Sequence, residues 1–461
     1  MKSAIALCGV LALAACAAPP ARDTPTRAAV IADTTLPPMK QFARPDPRPP
    51  VASNLNISDD FLDLHFELES GRELPVFTRF ETPITVRVTG SPPTQLGTDL
   101  SKLLTRLRSE AQIDIRQVPR AQRANITIQA VTRKEIRRAL PQAACFVVPN
   151  VDSLAQFRRD RRKDSTNWAL LRERQQMAIF LPYDASPQEV RDCLHEELAQ
   201  AIGPLNDLYR LPDSVFNDDN VHTVLTGFDM LILRATYAPE LTSGMTRDQV
   251  AARLPVILNR ENPRGAGRAR TAVVATPRSW INAVQAALGP GSSPATRRSA
   301  ANAALQIALQ LGWQDHRRAF SHYVLGRMVQ FRDPLLAQQH FQTALRFLSR
   351  TPGAQLHKAY VSTQTIAFEI SQGDGAEALR QIEPGLRDAA RAENAALLAT
   401  LMLLKSEALG LQGRAAEARA VRVDSLGWAR YGFGADWAVR AKMQEIATLR
   451  PTTTEPGTRT R

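Results

Sequence analysis

Apolar and polar positions alternate with one period in the first half of the chain and another in the second. Between about residues 61 and 265, short apolar or alternating runs at 84–88, 113–115, 125–128, 144–148 and 177–181 predict β-strands. Among them, stretches with a 3.6-residue period predict helices at about 96–110, near Lys134, and from about Pro187 to Gly203, where a Gly-Pro pair ends the pattern. From about Pro294 to Arg450 the pattern is helical throughout. The order of elements therefore predicts an α+β domain followed by an all-α domain.

The helical half carries a spaced echo. Ala337 with Phe341 and Ala344, Ala378 with Ile382, and Ala418 with Arg422 recur at intervals of 41 and 40 residues, each group preceded by a short polar loop. With Leu325-Gly326 in one first helix, this resembles tetratricopeptide-type helix pairs, although the spacing exceeds the usual ~34 residues. Such pairs bury their apolar faces only by stacking, which predicts a helical-repeat platform for a protein or peptide partner. The alternative is a plain helical bundle.

The chain opens Met1-Lys2, then runs apolar to Leu13-Ala14-Ala15-Cys16, which resembles the lipobox of a bacterial lipoprotein. The resemblance implies cleavage before Cys16, lipidation of that residue, and an address in the cell envelope, lipid-anchored at the periplasmic face of the outer membrane. Residues 17–56 are rich in Pro and Thr and predict a disordered tether. Cys8 leaves with the signal peptide and Cys16 goes to lipid, so Cys145 and Cys193 remain, and in an oxidising compartment they are expected to pair. The resulting loop of 48 residues corresponds to roughly 4 kcal/mol of chain entropy.

Lys and Arg total 58 against 45 Asp and Glu, a formal net charge of +13. In an envelope protein this favours an anionic polymer or lipid as partner over nucleic acid. No phosphate-binding Gly-Lys-Ser/Thr loop and no Gly-x-Ser-x-Gly elbow occurs, which disfavours nucleotide hydrolysis and serine esterase chemistry. The acidic run Asp218-Asp219-Asn220 lacks the spacing of a calcium loop and predicts a turn with capping carboxylates.

The most informative stretch is residues 192–207. With Glu196 in the first position, Glu197 follows it, Gln200 lies four residues on, and Gly203 and Asn206 follow. This resembles the active-site helix of a zinc metallopeptidase of the metzincin type, with a carboxylate and two amides where imidazoles would grip the metal. In that reading Glu197 is the general base, and Glu196, Gln200, Asn206, Asp207, His195 and His222 line the cleft. An amide oxygen is a weak neutral donor, so no metal is expected; the alternative metal set is His195, Glu196 and His222. The competing explanation is an amphipathic helix whose Leu194, Leu198 and Ile202 face a core. Phe216 stands where a Met-turn would place methionine, and Asp229 is placed to cap a closing helix.

Asp192-Cys193, Glu196-Glu197, the 203–207 segment, the 214–218 segment and Phe228-Asp229-Met230-Leu231 together resemble the domain-of-unknown-function 2927 family of proteobacterial secreted and lipid-anchored proteins. The expected organisation is thus a signal peptide at 1–16, a tether at 17–56, a zincin-like α+β domain at 57–265 and a linker at 266–293. A tetratricopeptide-like domain at 294–450 and a disordered tail at 451–461 complete it. The implied function is a non-catalytic envelope lipoprotein that binds protein or cell-wall partners. The alternative is a zinc-dependent peptidase or amidase.

Overall fold

A computed structural model describes residues 36–43, 47–219, 221–272 and 274–451. The expected lipidation site Cys16, the signal peptide and residues 452–461 lie outside them. Among the described residues no helix is long and apolar enough to cross a membrane.

Helix α1 (Asn54–Phe66) precedes an alternation of β1 (Ile84–Gly90), α2 (Thr94–Glu110), β2 (Ile115–Gln117), β3 (Ile126–Val131), α3 (Arg133–Ala139), β4 (Phe146–Pro149), α4 (Leu154–Asp160) and β5 (Met177–Pro182). Then come α5 (Pro187–Ile202), α6 (Gly227–Thr236), α7 (Arg247–Ala251) and α8 (Leu254–Glu261). The sheet order is β2-β1-β3-β5-β4, parallel except for β4, which runs antiparallel to β5 at one edge. β5 is buried at every position, as a central strand covered on both faces must be. Helices α2 and α5 cover one face through Leu100, Leu103, Leu107, Leu194 and Leu198, all fully buried. Phe146, Phe157 and Phe180 fill the other.

The remaining helices are α9 (Arg278–Leu288), α10 (Pro294–Gln310), α11 (His316–Val329), α12 (Pro334–Leu348), α13 (Gln355–Ser371), α14 (Gly375–Arg391), α15 (Ala395–Leu411), α16 (Ala415–Phe433) and α17 (Asp436–Ala447). The spaced echo has a structural basis. Gly373 and Gly413 both adopt positive φ in the α13–α14 and α15–α16 turns, and the two turns share one hydrogen-bond pattern, Asp374 N–H to Glu369 and Arg414 N–H to Leu409. Ala337, Phe341, Ala344, Ala378, Ile382 and Ala418 are all buried. At Gly326 a methyl group would stand 2.6 Å from the Phe341 ring, so α11 and α12 pack closely only without a side chain there. In the last pair the apolar residue is replaced by Arg422, which bonds the buried Glu407.

Two boundaries differ from expectation. Helix α9 lies inside the segment expected as linker, because its Trp280 is fully buried against Tyr209 and Trp313 and donates to Ser321 Oγ (2.9 Å). Residues 37–43 and 47–53, expected within the tether, lie against the folded body. Lys40 N–H donates to the Gly427 carbonyl (3.0 Å), Phe42 stacks on Trp428 (4.5 Å), and Arg48 pairs with Asp388 (3.1 Å). Lys102 Nζ donates to the Phe42 carbonyl (2.7 Å), so the strap also touches α2. A side chain on Gly227 or Gly427 would collide with it.

Helix α5 joins the two halves. Arg191, sandwiched between the rings of Phe42 and Tyr431, pairs with Glu393 (2.8 Å) at 6% and 11% side-chain exposure. Gln188 donates to Asn394 Oδ1 (3.1 Å) and accepts from Ala396 N–H (2.9 Å).

A disulfide joins Cys145, just before β4, to Cys193 on α5. Reduction or Cys145→Ser should lower unfolding free energy by about 2–4 kcal/mol in denaturant titration, given the 48-residue separation. Arg191→Ala should cost about 3 kcal/mol by the same measurement, since it strands a buried carboxylate, whereas Arg191→Met combined with Glu393→Gln should cost less.

Candidate functional site

The second half of α5 and three loops bring five carboxyl groups together. Glu196 and Glu197 come from α5 itself, Asp207 from the segment after it, Glu69 from the turn after α1, and Asp218 from the loop before α6. Each placement has a local cause. Helix α5 ends at Gly203-Pro204, where the fully buried Arg174 donates to the carbonyls of Gln200 (2.5 Å) and Gly203, a cation on the negative end of the helix dipole. The chain then bonds α1: Leu205 N–H donates to Leu64 (2.8 Å), Asn206 Nδ2 donates to the Asp63 carbonyl (3.0 Å), and Asn206 Oδ1 accepts the Asp207 N–H (3.0 Å). Glu69 sits in a tight turn closed by Leu68 and Arg72, and Arg278 of α9 donates to its carbonyl. Asp218 adopts φ +57° beside Asp219, whose carboxylate accepts the Val221 N–H (3.0 Å).

Glu197 is 5% exposed, and its Oε2 is buried without a hydrogen-bond partner. Glu196 and Asp207 are half-buried, while Glu69 and Asp218 lie exposed at the rim. Burial pushes Glu197 well above the usual carboxylate range, and the charges of Glu69 and Asp207 push it further. Burial and Glu197 do the same to Glu196; burial and Glu69 do so to Asp207, which hydrogen-bonds Glu69. The Tyr209 hydroxyl bonds Asp218. Asp192, one turn before Glu196, is raised to about 7, mainly by burial. Like charges this close ionise reluctantly together, so the cleft holds protons at a pH where isolated carboxyls have lost them.

The residues singled out from sequence divide into two groups. Glu196, Glu197 and Asp207 meet in the cleft. Asn206 does not offer a ligand, because its Nδ2 is bonded to α1 and its Oδ1 accepts the Asp207 N–H. Gln200 is buried. The His195 Nδ1 accepts the Leu225 N–H (3.2 Å), and burial together with Arg106 and Arg191 holds its pKa well below the ordinary value. His222 faces Asp213 (3.4 Å) near the helical stack. Among the described residues no three His, Cys, Asp or Glu side chains are disposed to hold a metal ion. Phe216 is fully buried, and Asp229 clasps its loop to α6, accepting from Ser214 Oγ (2.5 Å), Val215 N–H (3.2 Å) and Thr226 N–H (2.7 Å). Sequence pattern missed Glu69, Tyr209 and Arg174, which stand in turns without periodicity.

The fold is thus an α/β domain built on a mixed sheet, with a cluster of carboxyl groups at the second half of helix α5. Residues 54–256, which carry that domain, match the family described as protein of unknown function (DUF2927). No curated protein and no solved structure matches the chain.

Glu197→Gln should stabilise the protein by about 1–3 kcal/mol at pH 7.5, the range for relieving a buried unpaired charge. Because the folded-state pKa is raised, the native chain holds this proton more tightly than the unfolded one, so wild-type stability through this group falls as pH rises. The gain from the variant should therefore shrink as pH approaches 4, read by thermal melts across pH.

Proposed function

We propose that this chain is a lipid-anchored protein of the bacterial envelope. In this reading its zincin-like domain has exchanged metal chemistry for capture of a cationic segment of a protein or cell-wall partner, and its tetratricopeptide-like helices form the platform behind it. The observation that carries the reading is the buried Oε2 of Glu197, without a partner among the described residues, within a cluster of four further carboxyl groups. A buried oxygen without a donor is costly, and a lysine, arginine or amine brought into the cleft supplies both the donor and the missing positive charge. The order strand, helix, strands, then motif helix supports a zincin-like ancestry, and the edge strand β4, tied to α5 by the disulfide, stands where an extended peptide could add as a further strand. With a net charge of +13, the rest of the surface repels a cationic ligand and leaves this cleft as its natural target.

The helical platform is braced rather than freely presented, since α14, α15 and α16 are bonded to α5 and to the strap. Zinc peptidase or amidase chemistry is the rival reading, with Glu197 as base to a metal-bound water.

Calorimetry of the purified chain with a lysine-rich decapeptide should show saturable binding that releases protons, detected as a dependence of the heat on the buffer's ionisation enthalpy, because the cation displaces protons held by the cleft. Combining Glu196→Gln with Glu197→Gln should weaken it at least tenfold. Unchanged affinity in that variant, or stoichiometric zinc retained by wild type after dialysis and lost on Glu196→Ala, would overturn the reading.

A further inference from the structure

Behind the cleft, where the 209–219 loop meets α11 and α13, lies a separate cavity of about 200 Å³. Its polar end is formed by His316 and His357 with Asp219, and its walls include Phe320, Tyr323 and Tyr360. The half-exposed Leu288 stands on its lining, so the space communicates with solvent. None of this was legible in the sequence, where His316 and His357 are two unremarked residues on separate helices.

The two imidazoles are 3% and 4% exposed, with ring centres 5.6 Å apart. Each has one nitrogen engaged and one bare. His316 Nε2 lies 2.6 Å from the Tyr209 carbonyl, which can only accept, so that nitrogen carries the hydrogen. His357 Nε2 donates to Asp219. The Nδ1 of each is buried without a partner. Burial, with His357 beside it, lowers His316 to about 4, so its Nδ1 is a lone pair at neutral pH.

We propose that this cavity binds a small uncharged aromatic molecule bearing a hydroxyl group, of the phenol class, with the hydroxyl seated between His316 Nδ1 and His357 Nδ1. A hydroxyl is both donor and acceptor. It donates its one hydrogen to His316 Nδ1, and its oxygen accepts from His357 Nδ1 when that nitrogen carries a hydrogen. The ring centres stand 5.6 Å apart, a separation that one oxygen can bridge at ordinary hydrogen-bond lengths. The remainder of the space is walled by three aromatic rings that match an aromatic guest. An apolar cavity of about 150 Å³ accommodates benzene, so this one takes a ring with a short substituent. Charged guests are excluded on balance, because Asp219 already accepts from His357 and from the Val221 N–H and leaves no free counter-charge.

The test uses the purified chain with p-cresol as probe and toluene as its hydroxyl-free counterpart. Proton-observed ligand NMR and calorimetry should show one saturable p-cresol site with toluene at least tenfold weaker. Val361→Phe, which fills the cavity, should abolish binding of both probes, and His316→Leu should reduce p-cresol to the level of toluene. In wild type labelled with ¹⁵N-histidine, the His316 Nδ1 resonance should move on addition of p-cresol and not of toluene. This last readout needs no variant to fold. Equal affinity for the two probes, binding that survives Val361→Phe, or an unmoved His316 resonance would overturn the proposal and assign the bare nitrogens to ordered water alone.

Discussion

Helix α5 is restrained from several directions, and everything else is arranged around that restraint. Its first half is bonded to the helical stack through Gln188 and Arg191. Its middle is tied covalently to the sheet edge by Cys193, and its last carbonyls are held by the buried Arg174. A helix so fixed cannot shift to separate the carboxyl groups it carries. Burial, and after it the repulsion among Glu196, Glu197 and their neighbours, is instead met by proton uptake, which is why these groups are displaced in the same direction. Rigidity of the frame and reluctance of the cleft to ionise are two aspects of one arrangement.

The same restraint makes the helical stack part of the α/β domain's structure. Glu393 and Asn394, in the turn between α14 and α15, are buried polar residues whose partners lie on α5, on the 221 region and on Tyr360. Removing the stack would leave Arg191, Gln188 and the Val221 carbonyl without those partners. His316 and His357 extend this dependence to the loop that carries Tyr209 and Asp218, so the wall of the cleft is itself shaped by α11 and α13.

Sequence pattern revealed those parts of the molecule whose cause is local. Strands β1, β3 and β5 and helices α2 and α5 follow from periodicity, and the 40-residue echo follows from a repeated turn with glycine at the one position of positive φ. Glu196 and Glu197 were legible as a pair because they are adjacent on one helix. Glu69 was not, because its place beside Asp207 results from the way α1 receives the 205–206 segment. Asn206 shows the opposite failure: an amide at the spacing of a ligand, turned by that same docking into a brace. The short α9 and the strap were missed because each is held by a few aromatic residues, Trp280 in one and Phe42 in the other, within surroundings whose composition gives no hint of burial.

The strap has a mechanical corollary. Its contacts are shared between α16 on one side and α2 on the other, with Arg48 reaching α14. A load applied to the N-terminal end meets Arg430 holding Pro37 and Lys40 holding Asp424 before it reaches Phe42. Such a load reaches Phe42, which packs on the core of the helical half and stacks on Trp428, only after those two contacts.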